Sequence, residues 1–185
     1  MNLCHITDRR LIGGVEPLLA CIARNDSEGV DLIQIREKDL STRALCDLVT
    51  QAVRLCWRAS VIVNTRVDVA LACGADGVHL PAHSPSPAEF RRLTPPGFLI
   101  GVSCHDIAEL RAAENEGADY AFFAPVFHPL SKSDQRAPHG LDGLRAACFS
   151  VRIPVYALGG ITMGNAPLCE RAGAAGIAGI TLFQT

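Results

Sequence analysis

A chain of 185 residues with a formal net charge of −2 and scattered Lys and Arg carries no basic stripe, which argues against nucleic acid or an anionic membrane as a partner and for a small solute. The eight cysteines (Cys4, Cys21, Cys46, Cys56, Cys73, Cys104, Cys148 and Cys169) include no Cys-x-x-Cys pair, and most sit in apolar stretches, so they read as small hydrophobes of a reducing, cytoplasmic compartment. No apolar run reaches the ~20 residues of a membrane span, and the N-terminus has no basic-then-apolar signal pattern.

Short runs of Val, Ile and Leu alternate with longer segments of helical spacing, the pattern of βαβ units and a parallel sheet. Eight strands are predicted, at Leu3–Ile6, Leu32–Arg36, Ser60–Asn64, Gly77–Leu80, Leu99–Ser103, Tyr120–Ala124, Val155–Leu158 and Gly176–Thr181. Helices are predicted between them, among them Thr42–Trp57 and Ile107–Glu116, the second capped by Asp106. Gly74-Ala75-Asp76 and Gly117-Ala118-Asp119 each precede a strand, and Gly173-Ala174-Ala175 repeats the theme, with Gly ending the helix before it.

The expected fold is therefore α/β: one domain over residues 1–185, a compact (β/α)8 TIM barrel. Eight such units usually take about 200 to 250 residues, so connections must be tight. Only four residues follow the last predicted strand, which leaves the eighth helix missing or truncated. The apolar flank so exposed is expected to be covered in a homo-oligomer.

The polar residues at the strand ends point to an anion. In Leu32-Ile33-Gln34-Ile35-Arg36-Glu37-Lys38, alternation turns Ile33 and Ile35 toward the helices and Gln34, Arg36 and Lys38 into the barrel mouth. Two cations converging there call for an anionic ligand; the alternative is an internal network with Glu37 or Asp39. After the seventh strand, Gly159-Gly160 lets the backbone approach phosphate oxygens, together with Ile180 and Thr181 at the end of the eighth. The sixth strand opens into a polar loop running to Gly140, read as a lid that brings Lys132 over the site.

These residues carry a resemblance to the thiamin phosphate synthase and thiazole tautomerase (TenI) family. It rests on His5-Ile6-Thr7-Asp8, Gln34-Ile35-Arg36-Glu37-Lys38, Val63-Asn64 with Arg66-Val67-Asp68, Gly74-Ala75-Asp76-Gly77-Val78-His79-Leu80, Gly101-Val102-Ser103, Asp119-Tyr120, and Ile153-Pro154-Val155 with Gly159-Gly160-Ile161, in order over nearly the whole chain. The resemblance implies phosphorylated thiazole and pyrimidine small molecules as ligands. By motif, Arg36, Lys38, Asn64 and Lys132 would contact a diphosphate, Gln34 and Ser103 would lie near a pyrimidine, and Gly159, Gly160, Ile180 and Thr181 would hold the thiazole phosphate.

The family's synthases bind Mg²⁺ through Asp residues at positions that are Thr65 and Ser84 here. Two hydroxyls supply no charge for that ion, so no metal or other cofactor is expected unless the synthase alternative holds. Pro81 and Ser84-Pro85-Ser86-Pro87 look more like the tautomerase branch, whose characteristic His falls on Pro125 here; the nearest acid/base is His128, with His79 and His105 as further candidates. The catalytic set so read is His128, Lys132 and Ser103. The favoured expectation is a metal-independent thiazole phosphate tautomerase. The alternatives are a thiamin phosphate synthase, joining pyrimidine methyl diphosphate to thiazole phosphate with release of pyrophosphate, and a non-catalytic binder of thiazole phosphate or thiamin phosphate.

Overall fold

The computed structural model describes residues 1–128 and 136–184. Eight parallel strands close a barrel in chain order: β1 (Asn2–Ile6), β2 (Leu32–Ile35), β3 (Ser60–Asn64), β4 (Gly77–Leu80), β5 (Leu99–Cys104), β6 (Tyr120–Phe123), β7 (Val155–Ala157) and β8 (Gly176–Gly179). Among the described residues seven helices cover it: α1 (Val15–Ser27), α2 (Thr42–Leu55), α3 (Val67–Cys73), α4 (Pro87–Arg91), α5 (Ile107–Asn115), α6 (Gly140–Ser150) and α7 (Ala166–Arg171). No described helix is long and apolar enough to cross a membrane, and all eight cysteines are free thiols.

The repeated αβ turns have a physical role beyond stopping a helix. Gly74 and Gly117 adopt positive φ, which glycine tolerates without a Cβ clash. The Asp two residues later turns its carboxylate onto the first amides of a neighbouring strand: Asp76 accepts from Val61 N at 2.7 Å and Asp119 from Ile100 N at 2.7 Å. Asp31, after Gly29, does the same for Leu3 N at 2.8 Å. Each charged acceptor therefore registers the bottom of one strand against the next. Asp106 caps α5 through Glu109 N at 2.8 Å, as its position in the sequence suggests.

Period-two alternation divides the strand side chains into two sets. Ile33, Ile35, Val61, Val63, Val78 and Ile100 pack outward with α1 to α3, while Ala121, Phe123, Val155 and Ile177 pack outward with α5 to α7. Cys4, Ile6, Leu32, Ile62, Tyr120, Phe122, Tyr156 and Ala178 fill the interior. Large rings there sit opposite glycines; a Cβ at Gly176 would meet the Tyr156 ring at 2.5 Å, and one at Gly101 would run into Tyr120. This plug closes the lower barrel and leaves the upper end open.

The strand ends differ from the sequence expectation. β2, β6, β7 and β8 stop one or two residues before Arg36, Ala124, Leu158 and Thr181. Ala124 N and Leu158 N each still donate to the neighbouring strand, at 3.2 Å to Cys104 O and 3.1 Å to Phe123 O, whereas Arg36 N turns to Thr7 Oγ1 at 2.9 Å. Among the described residues no helix follows β8. On that flank Phe183 is buried in the cluster of α1 and α2, with its carbonyl accepting from Cys21 Sγ at 3.1 Å and Asn25 Nδ2 at 3.1 Å.

Candidate active site

At the C-terminal ends of the strands lies a cavity of about 780 Å³, to which every strand or its exit contributes: Ile6, Gln34, Asn64, His79, Ser103, Phe122, Leu158 and Ala178. Arg36, Lys38 and Arg136 bring positive charge to it, and Asp8 is the one carboxylate in its described lining.

The cations on the β2 exit stay uncompensated because of what their neighbours do. Glu37, on the opposite face, accepts from Thr7 Oγ1 at 2.8 Å, Arg9 N at 2.9 Å and the Arg9 guanidinium at 3.0 Å. Asp39 binds Arg9 at 2.6 Å and Arg10 at 2.7 Å. The Arg36 guanidinium and Lys38 ammonium form no ion pair among the described residues. The Arg36 charge, followed by desolvation, pulls the Lys38 pKa below the ordinary lysine value.

A second candidate anion site faces the cavity from the turns that follow β7 and β8. Gly160 has φ +65 and leaves no room for a side chain: a Cβ there would collide with the His128 carbonyl and lie 2.8 Å from Phe127 Cβ. Asn165 Nδ2 donates to Gly160 O at 2.9 Å and holds the turn. The backbone N–H groups of Gly160, Ile180 and Thr181 have no hydrogen-bond partner among the described residues, which leaves three donors at the cavity wall.

Between these anion sites, the floor is aromatic and neutral. His79 stacks on Phe122 with centroids 4.1 Å apart and meets Ser103 Oγ through Nε2 at 2.9 Å. Burial pushes its pKa down to about 3. Gln34 lines the same region, and its buried Nε2 has no partner among the described residues. His105 is held through Nδ1, 2.8 Å from the Ala124 carbonyl.

Most of the residues singled out from sequence therefore come together: Gln34, Arg36, Lys38, Asn64, Ser103, Gly159, Gly160, Ile180 and Thr181 all line this cavity. His128 does not. It is exposed and not part of the cavity lining, and its carbonyl lies against Gly160, so the geometry gives no support to it as acid/base. Lys132 lies outside the described residues. Two further arginines carry no sequence signal: Arg136 has no spacing pattern in its polar loop, and the partners of Arg9 are 28 and 30 residues away.

The Mg²⁺ implied for the synthase branch finds a poor donor set here. Thr65 Oγ1 accepts from Asn64 Nδ2 at 2.9 Å, and Ser84 donates to Pro81 O at 2.7 Å and lines a separate, smaller cavity. Among the described residues no three His, Cys, Asp or Glu side chains converge to hold a metal. Mg²⁺ favours carboxylate oxygens, and two committed hydroxyls with one amide do not fit it.

Comparison with known proteins places the chain in a family. Residues 3–183 match the thiamine monophosphate synthase family (TMP-TENI). The chain is 43% identical over 187 residues to a thiamine-phosphate synthase of Chloroflexus aurantiacus, covering 96% of this chain and 86% of that protein. A thiamine-phosphate synthase of Methanocella arvoryzae is 43% identical over 184 residues, covering 97% and 85%. Among solved structures, thiamine phosphate pyrophosphorylase from Pyrococcus furiosus superposes with a TM-score of 0.87 at 35% identity, covering 100% of this chain and 88% of that one. The chain belongs to the thiamine monophosphate synthase family, and it is an enzyme of thiamine biosynthesis built as a (β/α)8 barrel.

Proposed function

We propose that the chain is a thiamine-phosphate synthase, a transferase that joins a pyrimidine methyl diphosphate to a thiazole phosphate. One observation carries this reading: a single cavity is lined both by the Arg36 and Lys38 cations on the β2 exit and, after β7 and β8, by the N–H groups of Gly160, Ile180 and Thr181, which are unpaired among the described residues. A tautomerase acting on one phosphorylated thiazole needs only the second. The tautomerase expectation also leaned on His128, which is exposed and off the cavity wall.

In this reading the thiazole phosphate sits in the N–H cradle with its ring nitrogen toward the cavity centre, and the diphosphate lies against Arg36 and Lys38. The methylene carbon–oxygen bond breaks, pyrophosphate leaves with the bonding pair, and the thiazole nitrogen bonds to the methylene carbon. Positioning and electrostatics supply the catalysis. The charge that develops on pyrophosphate meets Arg36 and Lys38, so neutralisation falls to side chains and no divalent metal is required.

The test mixes both substrates in EDTA and follows pyrophosphate release. Release that requires both substrates supports the synthase. Turnover of the non-aromatic thiazole carboxylate phosphate without any pyrimidine would overturn it in favour of the tautomerase.

A further inference from the structure

The hydroxyl of Ser103 sits at the end of a three-residue chain running into the barrel interior. His79, only 2% exposed, has Nε2 2.9 Å from Ser103 Oγ and Nδ1 3.2 Å from the Tyr120 hydroxyl. Burial keeps the imidazole neutral, with its pKa lowered to about 3, and holds the Tyr120 phenol protonated by raising its pKa. A neutral imidazole has one N–H and one acceptor nitrogen, so the chain has two possible polarities.

In one polarity His79 Nδ1–H donates to the Tyr120 oxygen and Ser103 donates to Nε2. The phenolic proton is then left without an acceptor inside the barrel, because Nδ1 is the only described partner of that hydroxyl. In the other polarity both buried donors of the chain, Tyr120 O–H and His79 Nε2–H, are used. An orphaned buried donor is strongly penalised, which decides between the two.

We propose that Tyr120 is a positioning residue: its O–H donates to His79 Nδ1, His79 Nε2–H donates to Ser103 Oγ, and the Ser103 proton is thereby left to be donated into the cavity. Resting on the synthase reading, the acceptor is an in-plane nitrogen of the pyrimidine substrate. Gln34, with a buried and unpartnered Nε2, presents a second donor from β2. The floor thus selects a ring with acceptor edges over a carbocycle of the same shape. Gly101 belongs to the device, since a Cβ there would run into the Tyr120 ring and displace its hydroxyl.

The test has a spectroscopic and a kinetic part. Nitrogen-15 NMR of His79 in the ligand-free chain is expected to show a bare Nδ1 and a protonated Nε2; the reverse would overturn the proposal. Tyr120→Phe, which keeps the ring, is expected to mix the tautomers and raise KM for the pyrimidine diphosphate about tenfold, while kcat and KM for thiazole phosphate change less than about twofold. Tyr120→Phe with Ser103→Ala is expected to bind pyrimidine no worse than Ser103→Ala alone. Fully additive losses would mean that Tyr120 does not act through Ser103 and would also overturn the proposal. The NMR measurement needs neither substrate nor variant, so it decides the polarity even if no pyrophosphate is released or Tyr120→Phe does not fold.

Discussion

Glu37 places its carboxylate 3.0 Å from the Arg9 guanidinium and faces away from Arg36, its neighbour in sequence. Arg9 also takes up Asp39, so the two acids that flank Lys38 are committed outside the cavity. The free charge on Arg36 and Lys38 is therefore a consequence of Arg9, which does not itself line the cavity.

Replacing Arg9 tests this directly. Arg9→Met releases Asp39 to approach Lys38 and leaves Glu37, 2% exposed, without its cation. Pyrophosphate affinity is expected to fall several-fold although no ligand contact is removed. Stability should drop by about 2–3 kcal/mol, a melting shift of roughly 5–10 °C for a chain of this size. Calorimetric titration beside a thermal melt reads both. Unchanged pyrophosphate affinity would separate the clamp from the anion site.

Lys38 gives a pH prediction. Its pKa is lowered chiefly by Arg36, so it loses its proton at a pH below the ordinary lysine value. Anion binding needs the charged form and should weaken as pH rises through that point. Arg36→Ala removes the repulsion and should move the midpoint of this loss to higher pH, even as it lowers affinity overall. Pyrophosphate titrations between pH 7 and 10.5 measure the midpoint; a midpoint unmoved by Arg36→Ala would contradict the assigned cause.

Thr65 sits at φ +67, where a β-branched side chain is crowded and Asn, Asp or Gly sits more readily. Thr65→Asp should relieve strain and stabilise the chain by about 0.5–1 kcal/mol. It also introduces a carboxylate beside Asn64. Pyrophosphate affinity of the unaltered chain is expected to be the same in EDTA and in millimolar Mg²⁺, while that of the variant should rise at least about threefold with Mg²⁺. A strong Mg²⁺ response in the unaltered chain would show that the hydroxyl set holds the metal after all.

The sequence carried much of the site because strand alternation is a local rule. Gln34, Arg36 and Lys38 share a face by counting in twos, and Gly159-Gly160 marks its turn by composition alone. What stayed hidden depends on barrel closure. Arg9 meets Glu37 only because β1 and β2 pair with Ile6 beside Gln34, and His79 meets Tyr120 and Ser103 across three adjacent strands, β4, β5 and β6. Neither the distance in sequence nor the residue types announces such partners. Likewise, Phe183 looks like tail sequence until the α1 side chains that bind its carbonyl are in place.

The buried histidines predict an early loss of stability in acid. Burial lowers the pKa of His79 to about 3 and, with the Arg24 charge adding to it, that of His5 to about 4, against 6.5 for the free side chain. Because the unfolded chain takes up these protons more readily than the folded one, stability is complete above about pH 6.5 and declines as pH falls toward the folded values. Each histidine contributes up to about 1.4 kcal/mol per pH unit, so roughly 3 kcal/mol should be lost between pH 7.5 and 5.5. The lowered carboxylates Asp26, Asp39 and Asp68 protonate only below this window and do not account for such a loss. Urea midpoints at half-unit intervals measure the slope. A His5→Asn, His79→Gln double variant should flatten it, whereas a slope already flat in the unaltered chain would mean that one or both imidazoles titrate normally in the folded barrel.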